Sequence, residues 1–110
     1  MDTKKKILII DDEEDIQKLL KIRLEQDSLT VVTAGDGASG AKMAEQEMPD
    51  LILMDIMMPN VDGYSCLKEV RKNQKTNKTH LLNISGIGGK KVLSRDIYAL
   101  KEAWQKPLRW

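Results

Sequence analysis

Two apolar runs, each ending on aspartate, constrain this chain more than any other feature. Ile7-Leu8-Ile9-Ile10 runs into Asp11-Asp12, and Leu51-Ile52-Leu53-Met54 runs into Asp55. Alternating apolar and polar residues would leave one face of a strand in water. An unbroken run suits a strand buried on both faces, as in a parallel sheet covered by helices. The β-branched stretch from Leu29 to Thr33 reads as a further strand, and Leu81-Leu82-Asn83-Ile84 as a weaker fourth. The first run is far too short for a signal-peptide core or a membrane span.

Helical patterns fill the gaps. Ile16, Leu19, Leu20 and Leu24 recur at helical spacing after the acidic stretch from Asp12 to Asp15. Acidic residues suit the positive end of a helix dipole. From Gly37 to Met48, Ala41, Ala44 and Met48 share one face, and Pro49 stops the helix. Leu67 and Val70 anchor a short helix after Gly63, and Leu93, Ile97, Leu100 and Trp104 mark a fourth. The resulting β-α alternation predicts an α/β fold, a doubly wound parallel sheet with right-handed crossovers. Ligands of such sheets bind beyond the carboxyl ends of the strands, at a switch point. Asp11, Asp12 and Asp55 therefore belong to one crevice.

Gathered carboxylates repel one another. Two unit charges 4 Å apart cost on the order of 4 kcal/mol at an effective dielectric of ~20. A cation resolves such a cluster, and carboxylate oxygens with water and phosphate oxygens are the ligand set of Mg2+. With the metal bound, a phosphoryl group can approach a carboxylate that acts as nucleophile and forms an acyl phosphate. The plainer alternative for Asp11-Asp12 is a helix N-cap pair. The plainer alternative for Asp55 is a loop aspartate. It is weakened by the apolar neighbours Met54 and Ile56-Met57-Met58, among which an unpaired carboxylate is costly.

Charge and cysteine content exclude other classes. The 110 residues suit a single domain, 1–110, and 18 basic against 17 acidic residues lack the basic excess of a nucleic-acid binder. Cys66 is the only cysteine, so no disulfide framework can form within one chain, and a reducing, cytoplasmic setting is expected. Ser85-Gly86-Ile87-Gly88-Gly89-Lys90-Lys91 departs from both the P-loop and dinucleotide patterns and reads as a loop over the acidic site. His80, the sole histidine, opens a strand and reads as structural.

These residues resemble a known family. Lys6-Ile7-Leu8-Ile9-Ile10-Asp11-Asp12-Glu13 is similar to the first strand and acidic pair of response-regulator receiver domains. Leu53-Met54-Asp55-Ile56-Met57-Met58-Pro59-Asn60-Val61-Asp62-Gly63 resembles their phosphoacceptor strand and following loop. The resemblance implies the receiver fold and individual roles. Asp55 accepts a phosphoryl group from a sensor histidine kinase or phosphotransfer protein. Asp12 binds Mg2+ directly, with Asp11 beside it or through water, and the Met57 carbonyl is a further ligand. Ser85 matches the family's hydroxyl residue, and Lys106, before Pro107, matches its phosphoryl-pairing lysine. Phosphorylation then switches binding to a downstream protein target, with no direct contact to nucleic acid or membrane.

The C-terminal end departs from the family pattern. No glycine breaks the stretch from Ala99 to Pro107, and Ala103 stands where an aromatic residue is usual. Helix and strand readings compete there, and a fifth helix is not expected. A missing strand and helix would bare a sheet edge, which invites pairing with another chain. Homodimerisation through this side is therefore expected. Two rivals frame the reading. A haloacid-dehalogenase-type phosphatase needs an Asp two residues after the nucleophile, where Met57 stands. A degenerate receiver would bind proteins without phosphorylation.

Overall fold

A computed structural model describes residues 5–55 and 63–84. They form β1 (Lys6–Ile10), α1 (Glu14–Glu25), β2 (Thr30–Ala34), α2 (Gly37–Glu47), β3 (Leu51–Met54), α3 (Gly63–Lys72) and β4 (His80–Asn83). All strand pairs are parallel, in the order β2-β1-β3-β4. The chain steps outward from β1 to β2, then returns across β1 to β3 and β4. Right-handed crossovers in opposite directions put their helices on opposite faces. Accordingly α1 packs on one face through Ile16, Leu20 and Leu24, against Ile7, Ile9, Val31, Leu51 and Leu53. Helices α2 and α3 pack on the other, where Ala44, Cys66 and Val70 meet Leu8, Ile10, Ile52, Met54 and Leu81.

The unbroken apolar runs occupy the two central strands. Every residue from Ile7 to Ile10 and from Leu51 to Met54 is at most 2% exposed. The strands beside them are buried only in part. Both are shifted one residue from the sequence expectation, because their register follows the central pair. Ala34 pairs with Ile10 and packs into the α2 side. Ile84 lies past β4, yet its N–H still donates to the Met54 carbonyl at 2.9 Å.

Two expected core positions turn outward. Leu19 is 41% exposed, since the stripe meeting the sheet is the narrower i, i+4, i+8 set of Ile16, Leu20 and Leu24. Met48 is 56% exposed because α2 ends at Glu47 and Met48 turns left-handed, with φ 45°. The residues sealing α2 instead include Gly37 and Gly40. A Cβ on Gly40 would lie 2.6 Å from Ile10 Cδ1 and 2.9 Å from its Cγ1 and Cγ2. Alanine gains about 1 kcal/mol of helix propensity. Overpacking a sealed core costs about 1–3 kcal/mol, and the obstacle here is most of a fully buried side chain. Gly40→Ala is therefore expected to lower stability by about 1–2 kcal/mol, read as a lower urea midpoint at unchanged m-value.

Polar ties place the outer elements. Lys6 N–H donates to Asp50 Oδ2 at 2.8 Å, and Lys6 Nζ pairs with Glu47 Oε1 at 3.0 Å. Between α3 and β4, Thr76 is 1% exposed and its hydroxyl donates to the Val70 carbonyl at 2.7 Å. The Arg71 guanidinium donates to the carbonyls of Asn77 and Thr79 at 3.1 and 2.8 Å. Buried polar groups are costly unless bonded, so these contacts set where β4 begins.

Candidate functional site

The direction of winding reverses between β1 and β3, so their carboxyl ends open the crevice at which parallel sheets bind ligands. Ile10 pairs with Met54 in the parallel ladder, which sets Asp11 level with Asp55. The ladder continues past the strands: Asp55 N–H donates to the Ile10 carbonyl at 3.0 Å, and Asp11 N–H to the Ala34 carbonyl at 3.1 Å. Carboxylate oxygens of Asp11, Asp12 and Asp55 all lie within 4.8 Å of one another. Asp11 is buried, while Asp12 and Asp55 are half-buried.

Asp11 does not cap α1. The N-cap is Glu13, whose side chain makes no capping bond. Asp11 Oδ1 instead accepts the Glu13 N–H at 2.8 Å, an Asx turn that holds the carboxylate at the mouth of the crevice. Burial pushes the Asp11 carboxyl up from 3.8 to about 6. The neighbouring Asp55, Asp12 and Glu13 carboxylates push the same way, and the Glu13 N–H opposes them. The site thus holds more negative charge than it stabilises unaided. Three hard oxygen donors at this spacing fit a small divalent cation such as Mg2+.

Of the residues expected from the sequence, Asp11, Asp12 and Asp55 come together as anticipated. Met57, Ser85 and Lys106 lie outside the described residues, as do the expected fourth helix and the stretch from Ala99 to Pro107. Asp36 caps α2, its carboxylate accepting from Ser39 N–H at 2.7 Å. Gln17 was not anticipated. Its side-chain Nε2 donates to the carbonyls of Asp11 and Ala34, at 2.5 and 3.2 Å. A glutamine beside a helix's apolar stripe carries no local signal of such a role. Among the described residues, no helix is long and apolar enough to cross a membrane.

The fold and the triad define a flavodoxin-like α/β domain with an acidic crevice at its switch point. Residues 7–99 match the family model described as the response regulator receiver domain, and the chain belongs to that family. It is a receiver domain of the kind found in two-component response regulators. It is 48% identical over 73 residues to the probable transcriptional regulator ycf27 of Guillardia theta, covering 66% of this chain and 29% of the relative. Over 70 residues it is 47% identical to the alkaline phosphatase synthesis transcriptional regulatory protein PhoP of Bacillus subtilis, covering 64% and 29%. The chain thus spans less than a third of either relative. The response regulator protein TrrA of Thermotoga maritima, solved in complex with Mg(2+)-BeF, superposes with a TM-score of 0.76. It is 28% identical, with 94% of this chain and 99% of that one covered. TrrA in complex with the histidine kinase ThkA superposes with a TM-score of 0.75 at 27% identity, covering 96% and 99%.

Proposed function

We propose that this chain, residues 1–110 as one unit, is a phosphoacceptor switch whose Mg2+-dependent phosphorylation on Asp55 alters its binding to a partner protein. The observation that carries this reading is the register of β1 and β3, which sets Asp55 level with Asp11 and beside Asp12 at the switch point. Asp12 and Asp55 would hold Mg2+, with Asp11 beside Asp12 or through water, and by the family resemblance the Met57 carbonyl would be a further ligand. When bound, the metal neutralises charge that would otherwise keep an anionic phosphodonor from the crevice.

An Asp55 carboxylate oxygen attacks phosphorus in line with the leaving group. A new O–P bond forms as the donor's bond to phosphorus breaks, and the leaving group keeps the electron pair. The acyl phosphate on Asp55 is lost again by hydrolysis. By the family resemblance, the Ser85 hydroxyl and the Lys106 ammonium meet the phosphoryl oxygens, and movement near Ser85 carries the signal. The donor is a sensor histidine kinase or a phosphotransfer protein, a reading supported by the TrrA complex with a histidine kinase. Near-balanced charge favours a protein target over direct binding to nucleic acid. The setting proposed is cytoplasmic, away from membranes, with homodimerisation through the C-terminal side.

The test is intact mass after incubation with acetyl phosphate. A phosphoryl adduct is expected with Mg2+ and not with chelator, and peptide mapping is expected to place it on Asp55. No adduct at saturating Mg2+ would sink the reading and leave a binding module that works without phosphorylation.

A further inference from the structure

We propose that Gln17 is a positioning residue for the metal-binding carboxylates. The inference rests on the Mg2+ site proposed above and concerns what holds its geometry. Strand β2 ends at Ala34, whose carbonyl receives the Asp11 N–H. In a parallel ladder the next rung would bring an N–H from two residues further along β2 onto the Asp11 carbonyl. The chain has already turned there, since Asp36 caps α2. The Gln17 amide, reaching down from α1, takes that place. Its Nε2 donates to the Asp11 carbonyl and to the Ala34 carbonyl together.

The Asp11 carbonyl belongs to the peptide joining the two acidic residues. Fixing that planar unit fixes the Asp12 Cα from which its side chain leaves the backbone. Asp11 is then held at three points: its N–H on Ala34, its carboxylate under the Glu13 N–H, and its carbonyl under Gln17. Mg2+ demands near-ideal octahedral geometry, so a small rotation of the Asp11-Asp12 peptide is felt at the metal. Gln17 also lines an open groove with Glu14, Lys18, Lys21 and Thr33. Shortening the side chain therefore admits water to the two carbonyls and leaves no sealed void.

The experiment is calorimetric Mg2+ titration of the wild-type chain beside Gln17→Met, which keeps the length and removes the donor. Gln17→Ala, with water in place of the amide, serves should the first variant fail to fold. Mg2+ binding is expected to weaken about tenfold, the scale seen when partners of metal ligands are removed. At saturating Mg2+ the phosphoryl adduct from acetyl phosphate is expected to return to the wild-type level. Wild-type Mg2+ affinity in both variants, with only the melting temperature in chelator lowered, would overturn the positioning role and leave a structural tie. A wild-type chain that binds no Mg2+ would overturn the proposed function itself, and this inference with it.

Discussion

Asp55→Asn is expected to abolish the phosphoryl adduct completely while the fold is retained. The amide keeps the size and shape of the carboxylate at the end of β3, and Asp55 is half-buried, so no cavity opens. The backbone bond from Asp55 N–H to the Ile10 carbonyl does not depend on the side chain. The chemistry does depend on it. A neutral amide oxygen does not attack phosphorus at a useful rate, and no anion remains to form the acyl phosphate. The substitution also removes one of the carboxylates that push Asp11 upward, so the Asp11 carboxyl moves back toward its ordinary range. Intact mass with acetyl phosphate and Mg2+ reads the first effect. An adduct that persists in Asp55→Asn would place the phosphoacceptor elsewhere.

Asp11→Asn is expected to act in opposite directions with and without metal. The buried Asp11 carboxyl sits at about 6 in the fold, against 3.8 as its ordinary value. Its folded form binds the proton more tightly than the unfolded chain does. Its contribution to stability is therefore fully present below pH ~4 and is lost as pH rises through ~6. At ~1.4 kcal/mol per pKa unit the difference is at most on the order of 3 kcal/mol, and solvent at the open crevice screens part of it. In chelator, the wild-type urea midpoint should fall between pH 4 and pH 7, and Asp11→Asn should largely remove that slope. The Asn side-chain oxygen still accepts the Glu13 N–H, so the Asx turn survives. In Mg2+ the sign reverses, because an anionic oxygen has left the crevice and the metal binds less tightly. Equal midpoints for the two proteins at pH 7.5 in chelator would show that the buried charge carries no penalty.

Much of the architecture was legible in the chain, for a local reason. Unbroken apolar runs at Ile7–Ile10 and Leu51–Met54 imply burial on both faces, and helical spacing between them implies crossovers. A crossover topology then forces the strand ends together, so aspartates directly after those runs meet in one crevice. The joining of Asp11, Asp12 and Asp55 follows from that logic without any knowledge of distances.

What tertiary structure alone decided concerns partners distant in sequence. Ile16, Leu19, Leu20 and Leu24 share helical spacing, and only packing on the sheet turns Leu19 outward while the other three are buried. Met48 fitted the α2 stripe by spacing, but its left-handed turn removed it. At Gly40 the space a side chain would need is filled by Ile10, thirty residues earlier in the chain. The Gln17 amide bonds to the Ala34 carbonyl at the end of β2, a target that comes within reach only once α1 has packed on the sheet. Periodicity is local and survives in a linear sequence. The pairing of a polar side chain with a backbone group of another element does not, because every residue offers the same carbonyl and only the fold selects which one is within reach.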